Sequence, residues 1–261
     1  MANPTLSKQF GALPKNDTAS SASADAILQT AKIPFAPGAA DPMTISGTIA
    51  KTAFLLALVV GAGMWGWGQV QPEVGVVDIP GWWFLILIVT IALAIVTAFK
   101  PQIAKFTGPL YALSMGAALG VISHVYNAEF DGIVLQAIMA TATVFVGMLV
   151  LFVTGAIKVT ARFRGIVIGA TLGIFLFYLL TFVISLFGVS IPFFSGGLGI
   201  LFSVFIVSIA ALNLMLDFDM IVRGEQAGAP RYYEWYGAFG LMVTIVWLYI
   251  EMLRLIALSR N

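Results

Sequence analysis

The stretch Leu212–Gly224, LNLMLDFDMIVRG, ends a long apolar run with two aspartates, Asp217 and Asp219. The run before them, from Phe193 to Leu216, is long enough to cross a bilayer as a helix, which takes about 20 apolar residues. Ionisable groups near membrane depth are costly to insert, so they usually face a protein interior or a watery cavity. This stretch therefore predicts a membrane protein with an ion or proton path at its last hairpin.

Six further apolar runs of similar length accompany this one. Hydrophobic residues make up 60% of the 261 residues and charged residues only 10%, which is too few charges for a soluble globule. A segment that spans lipid must satisfy its backbone internally, so each run predicts a helix. We expect an all-α integral membrane protein with seven transmembrane helices over residues 47–261, preceded by a polar, disordered cytoplasmic tail over residues 1–46. The six further runs lie near Thr48–Gln69, Trp82–Phe99, Thr107–His124, Gly132–Ile157, Phe163–Gly188 and Tyr236–Leu258.

Composition also excludes several classes of function. A net charge of +1 without a basic cluster argues against nucleic acid as a partner. The chain has no cysteine and one histidine, so the usual zinc, copper and iron–sulfur sites are excluded, and we expect no cofactor. No histidine accompanies the serines of the spans for acyl transfer, so we expect no enzymatic activity.

The stretch Gly61–Gly66, GAGMWG, fits the G-x-G-x-x-G pattern of dinucleotide sites. That fingerprint needs a strand before the glycines and a helix after them, whereas these glycines end a run long enough to cross a bilayer. Small residues that allow close helix packing are the better interpretation.

Basic residues predict the orientation of the spans. They lie before or at the start of the first span and in alternate loops, and the other loops contain no lysine or arginine. Because basic loops stay in the cytoplasm, we expect a cytoplasmic N-terminus and a C-terminus outside. The basic residues in question are Lys8, Lys15, Lys32, Lys51, Lys100, Lys105, Lys158, Arg162, Arg164, Arg223 and Arg231.

The charged residues of the last hairpin divide into two groups. Asp217 and Asp219 are two residues apart and would point about 200° apart on a helix, so they form no side-by-side pair. One is expected to face the bundle interior and the other to lie near the interface, one turn before Arg223. Glu251 and Arg254 share a helix face, either as a structural ion pair or with Glu251 as a sensing acid.

The same hairpin resembles the Bax inhibitor-1 family, of the transmembrane Bax-inhibitor-motif type, in its bacterial YccA-like branch. The resemblance rests on the stretch quoted at the outset, on Ala229–Tyr236 (APRYYEWY), on Ala238–Met242 (AFGLM) and on Trp247–Leu255 (WLYIEMLRL). It implies a seven-helix fold whose last helix is central and wrapped by the other six. It also implies a pH-dependent calcium leak governed by aspartates in the sixth and seventh helices, with a basic latch near the cytoplasmic end of the second helix.

Carried over residue by residue, the resemblance places the sixth-helix aspartate at Asp217 and the basic latch at Lys100. The aspartate of the last helix would fall on Thr244, and Glu251 stands seven residues later on nearly the same face. Either Glu251 replaces that acid or the two-carboxylate sensor is absent.

The leading hypothesis is a pH-sensitive calcium or cation leak channel in the bacterial inner membrane. Its candidate gating and pH-sensing residues are Asp217, Asp219, Lys100, Glu251 and Arg254, with calcium as the permeant ion in transient contact with Asp217. The alternative is an interaction protein that conducts nothing and modulates a membrane protease or another membrane partner, with residues 1–46 as its docking segment.

Overall fold

The computed structural model describes residues 41–73, 76–78, 80–185, 187 and 196–260, so residues 1–40 of the predicted tail lie outside the described residues. Seven long helices are present among the described residues, and all seven are long and apolar enough to cross a membrane. The prediction of a multi-pass, seven-helix membrane protein is confirmed. The helices are α1 (Ile45–Trp67), α2 (Trp82–Phe99), α3 (Ala104–Glu129), α4 (Ile133–Val153), α5 (Ala161–Ser185), α6 (Gly196–Gln226) and α7 (Tyr232–Arg260).

Two features of the structure differ from what the apolar runs predict. The loop between α1 and α2 contains a small antiparallel hairpin, with β1 at Gln71–Glu73 and β2 at Val76–Asp78. The sixth helix continues ten residues beyond Leu216, because Phe218 and Ile221 are buried and Arg223 pairs with Asp219 one turn earlier. Both aspartates of the opening stretch therefore lie inside a helix.

The last helix is central, as the resemblance implies. Its backbone packs against α1, α3, α4 and α6. Side chains of α2 and α5 also reach the clusters in which α7 takes part, through Leu93 and Ala94 on α2 and through Tyr178 on α5. By contrast, α2, α4 and α5 expose many large apolar side chains, which is the expected surface toward lipid.

Glycines bring α1 and α3 into backbone contact. A Cβ on Gly66 would overlap the backbone of Ala117, one on Gly116 would overlap Val59, and one on Gly120 would overlap Gly63. Small residues permit this approach, as in other closely packed membrane helices. Two of the three glycines of the G-x-G-x-x-G pattern, Gly63 and Gly66, thus serve helix packing, whereas Gly61 faces open space. The helical context does not fit the nucleotide fingerprint.

Candidate functional site

Asp217 lies on α6 where this helix meets α7. Opposite it, Gly240 has no side chain, and a Cβ there would lie 3.5 Å from Oδ1 of Asp217. The Thr244 hydroxyl, one turn further along α7, lies beside the Asp217 carboxylate and donates to the Gly240 carbonyl oxygen at 3.2 Å. The other carboxylate oxygen, Oδ2, is buried and has no hydrogen-bond partner among the described residues.

This arrangement is unusual for a buried carboxylate. Buried polar atoms are nearly always hydrogen-bonded, and buried charges are nearly always paired with an opposite charge. None of the ion pairs between described residues includes Asp217. Asp217 is therefore an acid between α6 and α7 that has a neutral hydroxyl beside it and no cationic partner among the described residues.

Asp219 faces the other way and is paired with two arginines. Its carboxylate accepts hydrogen bonds from Nη2 of Arg164 on α5 at 2.5 Å and from Nε of Arg223 at 2.8 Å. Arg223 also reaches the carbonyl oxygen of Val159 in the loop before α5, at 3.4 Å. The two aspartates thus face different neighbours, Asp217 towards Gly240 on α7 and Asp219 towards Arg164 and Arg223.

Lys100 is the C-cap of α2, and its side chain is exposed. No ion pair between described residues joins Lys100 to Asp217. The reason lies in the packing, because the helix that Lys100 ends packs its backbone on α3 and on the short turn Pro101–Ile103 rather than on α6. The pair that the resemblance implies is not formed in this structure.

Glu251 and Arg254 lie together, and Tyr178 of α5 joins them. The Tyr178 hydroxyl donates to Oε1 of Glu251 at 2.7 Å, and Nη1 of Arg254 donates to the Tyr178 oxygen at 2.5 Å. The direct distance from Nη1 of Arg254 to Oε2 of Glu251 is longer, 4.0 Å. Glu251 is only 3% exposed, and these contacts hold its Oε1, whereas its Oε2 has no hydrogen-bond partner among the described residues.

The position of Thr244 bears on the role of Glu251. Thr244 touches Asp217, whereas Glu251 stands seven residues later, about 10 Å along the axis of α7. The contacts of Glu251 are with Tyr178 and Arg254. The geometry therefore favours a structural role for Glu251 and pairs Asp217 with a hydroxyl instead of a second carboxylate.

A resident metal ion would find few ligands here. Among the described residues, no three histidine, cysteine, aspartate or glutamate side chains form a group that could hold a metal. Calcium takes six to eight oxygen ligands, and Asp217 with Thr244 offers only a few.

Three partners in this region were not found from the sequence: Tyr178, Arg164 and the contact of Thr244. Arg164 pairs with a residue 55 positions away, and Tyr178 with one 73 positions away. Arg164 carried a signal, since it lies at the start of the fifth span, on the same predicted side of the membrane as the end of α6. Tyr178 carried none, because a tyrosine within an apolar run is also an ordinary lipid-facing or core residue.

The comparisons with known proteins agree with this architecture. A model of the family described as Bax inhibitor 1 like matches residues 3–261, which is nearly the whole chain and includes the N-terminal segment that the sequence resemblance left aside. No curated protein and no solved structure gives a significant match to the chain. The chain has seven spans, the last of them central, and the family model matches almost its full length. The chain therefore belongs to the Bax inhibitor 1 like family.

Proposed function

We propose that this protein is a pH-sensitive cation leak channel of the calcium type, not an enzyme, and that Asp217 is its titrating group. The observation that carries the proposal is the buried Oδ2 of Asp217, which has no hydrogen-bond partner among the described residues. A carboxylate is a hard oxygen ligand of the kind that calcium prefers. Ionisable groups at this depth mark ion or proton paths in membrane proteins.

The contact with Thr244 supplies a way for acid to act. A charged carboxylate accepts a stronger hydrogen bond than a neutral carboxyl group does. The charged form therefore holds α6 against α7 at Thr244, and protonation weakens that contact. We propose that the leak is low while Asp217 is charged and rises when acid neutralises it.

The proposal includes a location and an orientation. Helices that cross the membrane alternately bring the loops α2–α3, α4–α5 and α6–α7 to the same side as the start of α1. Basic residues lie in these loops or in the helical turns next to them: Lys51, Lys105, Lys158, Arg162 and Arg231. By the positive-inside rule this side is cytoplasmic. We place the protein in a bacterial inner membrane, in the YccA-like branch of the family, with the end of α7 outside.

A flux assay in liposomes tests the function. The purified full chain is reconstituted around a calcium-sensitive dye, and influx is measured at neutral and acidic pH for the wild type, Asp217→Asn and Asp219→Asn. We expect acid-stimulated influx in the wild type and a pH-independent influx in Asp217→Asn. Asp219→Asn is the matched control, since it removes an aspartate two residues away that is already paired with arginines.

Two results would overturn the proposal. A wild type that passes no cation at any pH would leave the interaction protein as the better account. A full pH response in Asp217→Asn would remove Asp217 from the sensor, whatever the protein conducts.

A further inference from the structure

The segment before α1 is fastened to the loop between α6 and α7. The amide of Met43 donates to the Ala229 carbonyl oxygen at 2.7 Å, and the amide of Arg231 donates to the Asp41 carbonyl oxygen at 3.1 Å. Between these two bonds, Pro42 and Pro230 stand opposite each other as an antiparallel bridge. Proline has no amide hydrogen, so it fits the unbonded pair between two such hydrogen bonds.

Side chains strengthen this attachment. Met43 is 3% exposed. Its sulfur packs against Gly224, where a Cβ would lie only 2.6 Å from the sulfur. The guanidinium of Arg231 donates to the Asp41 carboxylate at 2.8 Å, and this carboxylate raises the pKa of Arg231. The Arg231–Asp41 pair is mostly exposed and contributes little on its own.

Glu234 is the buried anchor of the segment. Its Oε1 accepts hydrogen bonds from the amide and the hydroxyl of Thr44 at 2.9 and 3.0 Å, and its Oε2 is paired with Lys51. Glu234 is 2% exposed, and a Cβ on Gly47 would overlap its carboxylate. A backbone amide, a hydroxyl and an ammonium group thus bind this carboxylate, and the missing side chain of Gly47 leaves space for it.

A second acid, on the other side of the α6–α7 loop, completes the attachment. Oε1 of Glu225 accepts the amide of Ile45 at 2.9 Å. The first amides of a helix have no partner within the helix, and negative charge is favourable beside them. Glu225, near the end of α6, and Glu234, near the start of α7, therefore both bind the N-terminal end of α1 through amides that the helix itself leaves unsatisfied.

We propose that residues Asp41–Ile45 form a strap that holds α6 and α7 together at this end of the bundle, and that cation leak requires its release. This inference rests on the proposed function. Glu225 lies eight residues after Asp217, about 12 Å along α6, and Glu234 lies ten residues before Thr244, about 15 Å along α7. The strap therefore spans the two helices whose separation would open the contact between Asp217 and Thr244.

A reversible disulfide tests the strap, because the chain has no cysteine of its own. Opposed residues in an unbonded antiparallel pair have Cα atoms about 4.5 Å apart, which lies within the range of disulfides. The double variant Pro42→Cys with Pro230→Cys is reconstituted in liposomes and assayed oxidised and then reduced. We expect oxidation to abolish the acid-stimulated influx and reduction to restore it, because the disulfide prevents release of the strap. Each single variant is the control and should not respond to oxidation.

A second measurement does not depend on flux. In Met43→Cys the thiol should react slowly with a water-soluble maleimide, because the side chain of Met43 is buried, and in Ser46→Cys it should react fast. Adding Glu234→Gln should speed labelling at position 43 by about tenfold, since a hydrogen bond to a charged group is lost. Asp41→Asn, which breaks only the exposed pair with Arg231, should change it little.

The outcomes separate the strap from the channel. If the wild type conducts nothing but the disulfide forms and Glu234→Gln exposes position 43, the proposed function fails while the attachment stands, and its role in leak falls with the function. If the disulfide does not form, or forms and leaves a measurable influx unchanged, the strap proposal is wrong and the proposed function is untouched.

Discussion

Thr244→Val tests the contact at the centre of the site. Valine keeps nearly the shape of threonine and removes the hydroxyl that is the partner of Asp217. A hydrogen bond to a charged group contributes roughly 1.5–3 kcal/mol, and one between neutral groups about 0.5–1.5 kcal/mol. We therefore expect Thr244→Val to destabilise the fold by about 2 kcal/mol while Asp217 is charged, and by about half of that once acid has neutralised it.

The sign with pH follows from which form Thr244 favours. The hydroxyl stabilises the charged carboxylate more than the neutral one, so its larger contribution is present at neutral pH and declines as pH falls. One kcal/mol shifts the melting temperature of a chain of this size by about 2–4 °C. The loss is then roughly 4–8 °C in neutral solution and about half of that in acid.

The assay is thermal unfolding of the detergent-solubilised protein at the two pH values, with Thr141→Val as the matched control. The Thr141 hydroxyl donates to the Ala137 carbonyl oxygen one turn earlier, at 2.7 Å, so it shares the backbone bond of Thr244 and lacks the carboxylate. Equal shifts in both variants, or a shift at position 244 that is the same at both pH values, would refute the reasoning. In liposomes Thr244→Val should also raise the influx measured at neutral pH.

Three further predictions concern other parts of the bundle. Glu251→Gln removes the buried counter-charge of Arg254 and should lower the free energy of unfolding by about 3 kcal/mol. Adding Arg254→Met should recover most of this loss, and both variants should keep the pH response of the influx. Loss of that response would restore Glu251 as a sensor. Gly120→Ala should lower the melting temperature, because its Cβ would meet backbone, whereas Gly147→Ala, which faces open space, should not; equal effects would contradict the close packing. A cysteine at Lys158 should react with an impermeant maleimide only in inside-out vesicles, and labelling in right-side-out vesicles would reverse the orientation.

The spans were predictable because lipid leaves the chain few choices. Each apolar run had to become a helix, and Gly61–Gly66 ends one of these helices instead of joining a strand to a helix, which argued against a nucleotide turn. The different faces of Asp217 and Asp219 followed from helical geometry alone. These conclusions need only one element at a time, so the sequence suffices for them.

The partners of the charged groups were harder to predict from the sequence. Arg164 and Tyr178 come from α5, and which of their faces meets α6 and α7 depends on how the helices pack rather than on any local pattern. The extension of α6 past Leu216 was missed for a similar reason, since burial of Phe218 and Ile221 outweighs the end of the apolar run. Lys100 was placed by resemblance, and the packing of α2 on α3 leaves it exposed.

The glycine contacts between α1 and α3 limit how this bundle can move. Where two backbones touch at Gly63 and Gly120, a small slide or roll of one helix brings main-chain atoms into collision, because no flexible side chain lies between them to adjust. The two helices must then travel as one rigid body. Any opening has to be a hinge of the remaining helices against this pair, and spin labels placed on α1 and α3 should keep a constant separation through every state of the protein.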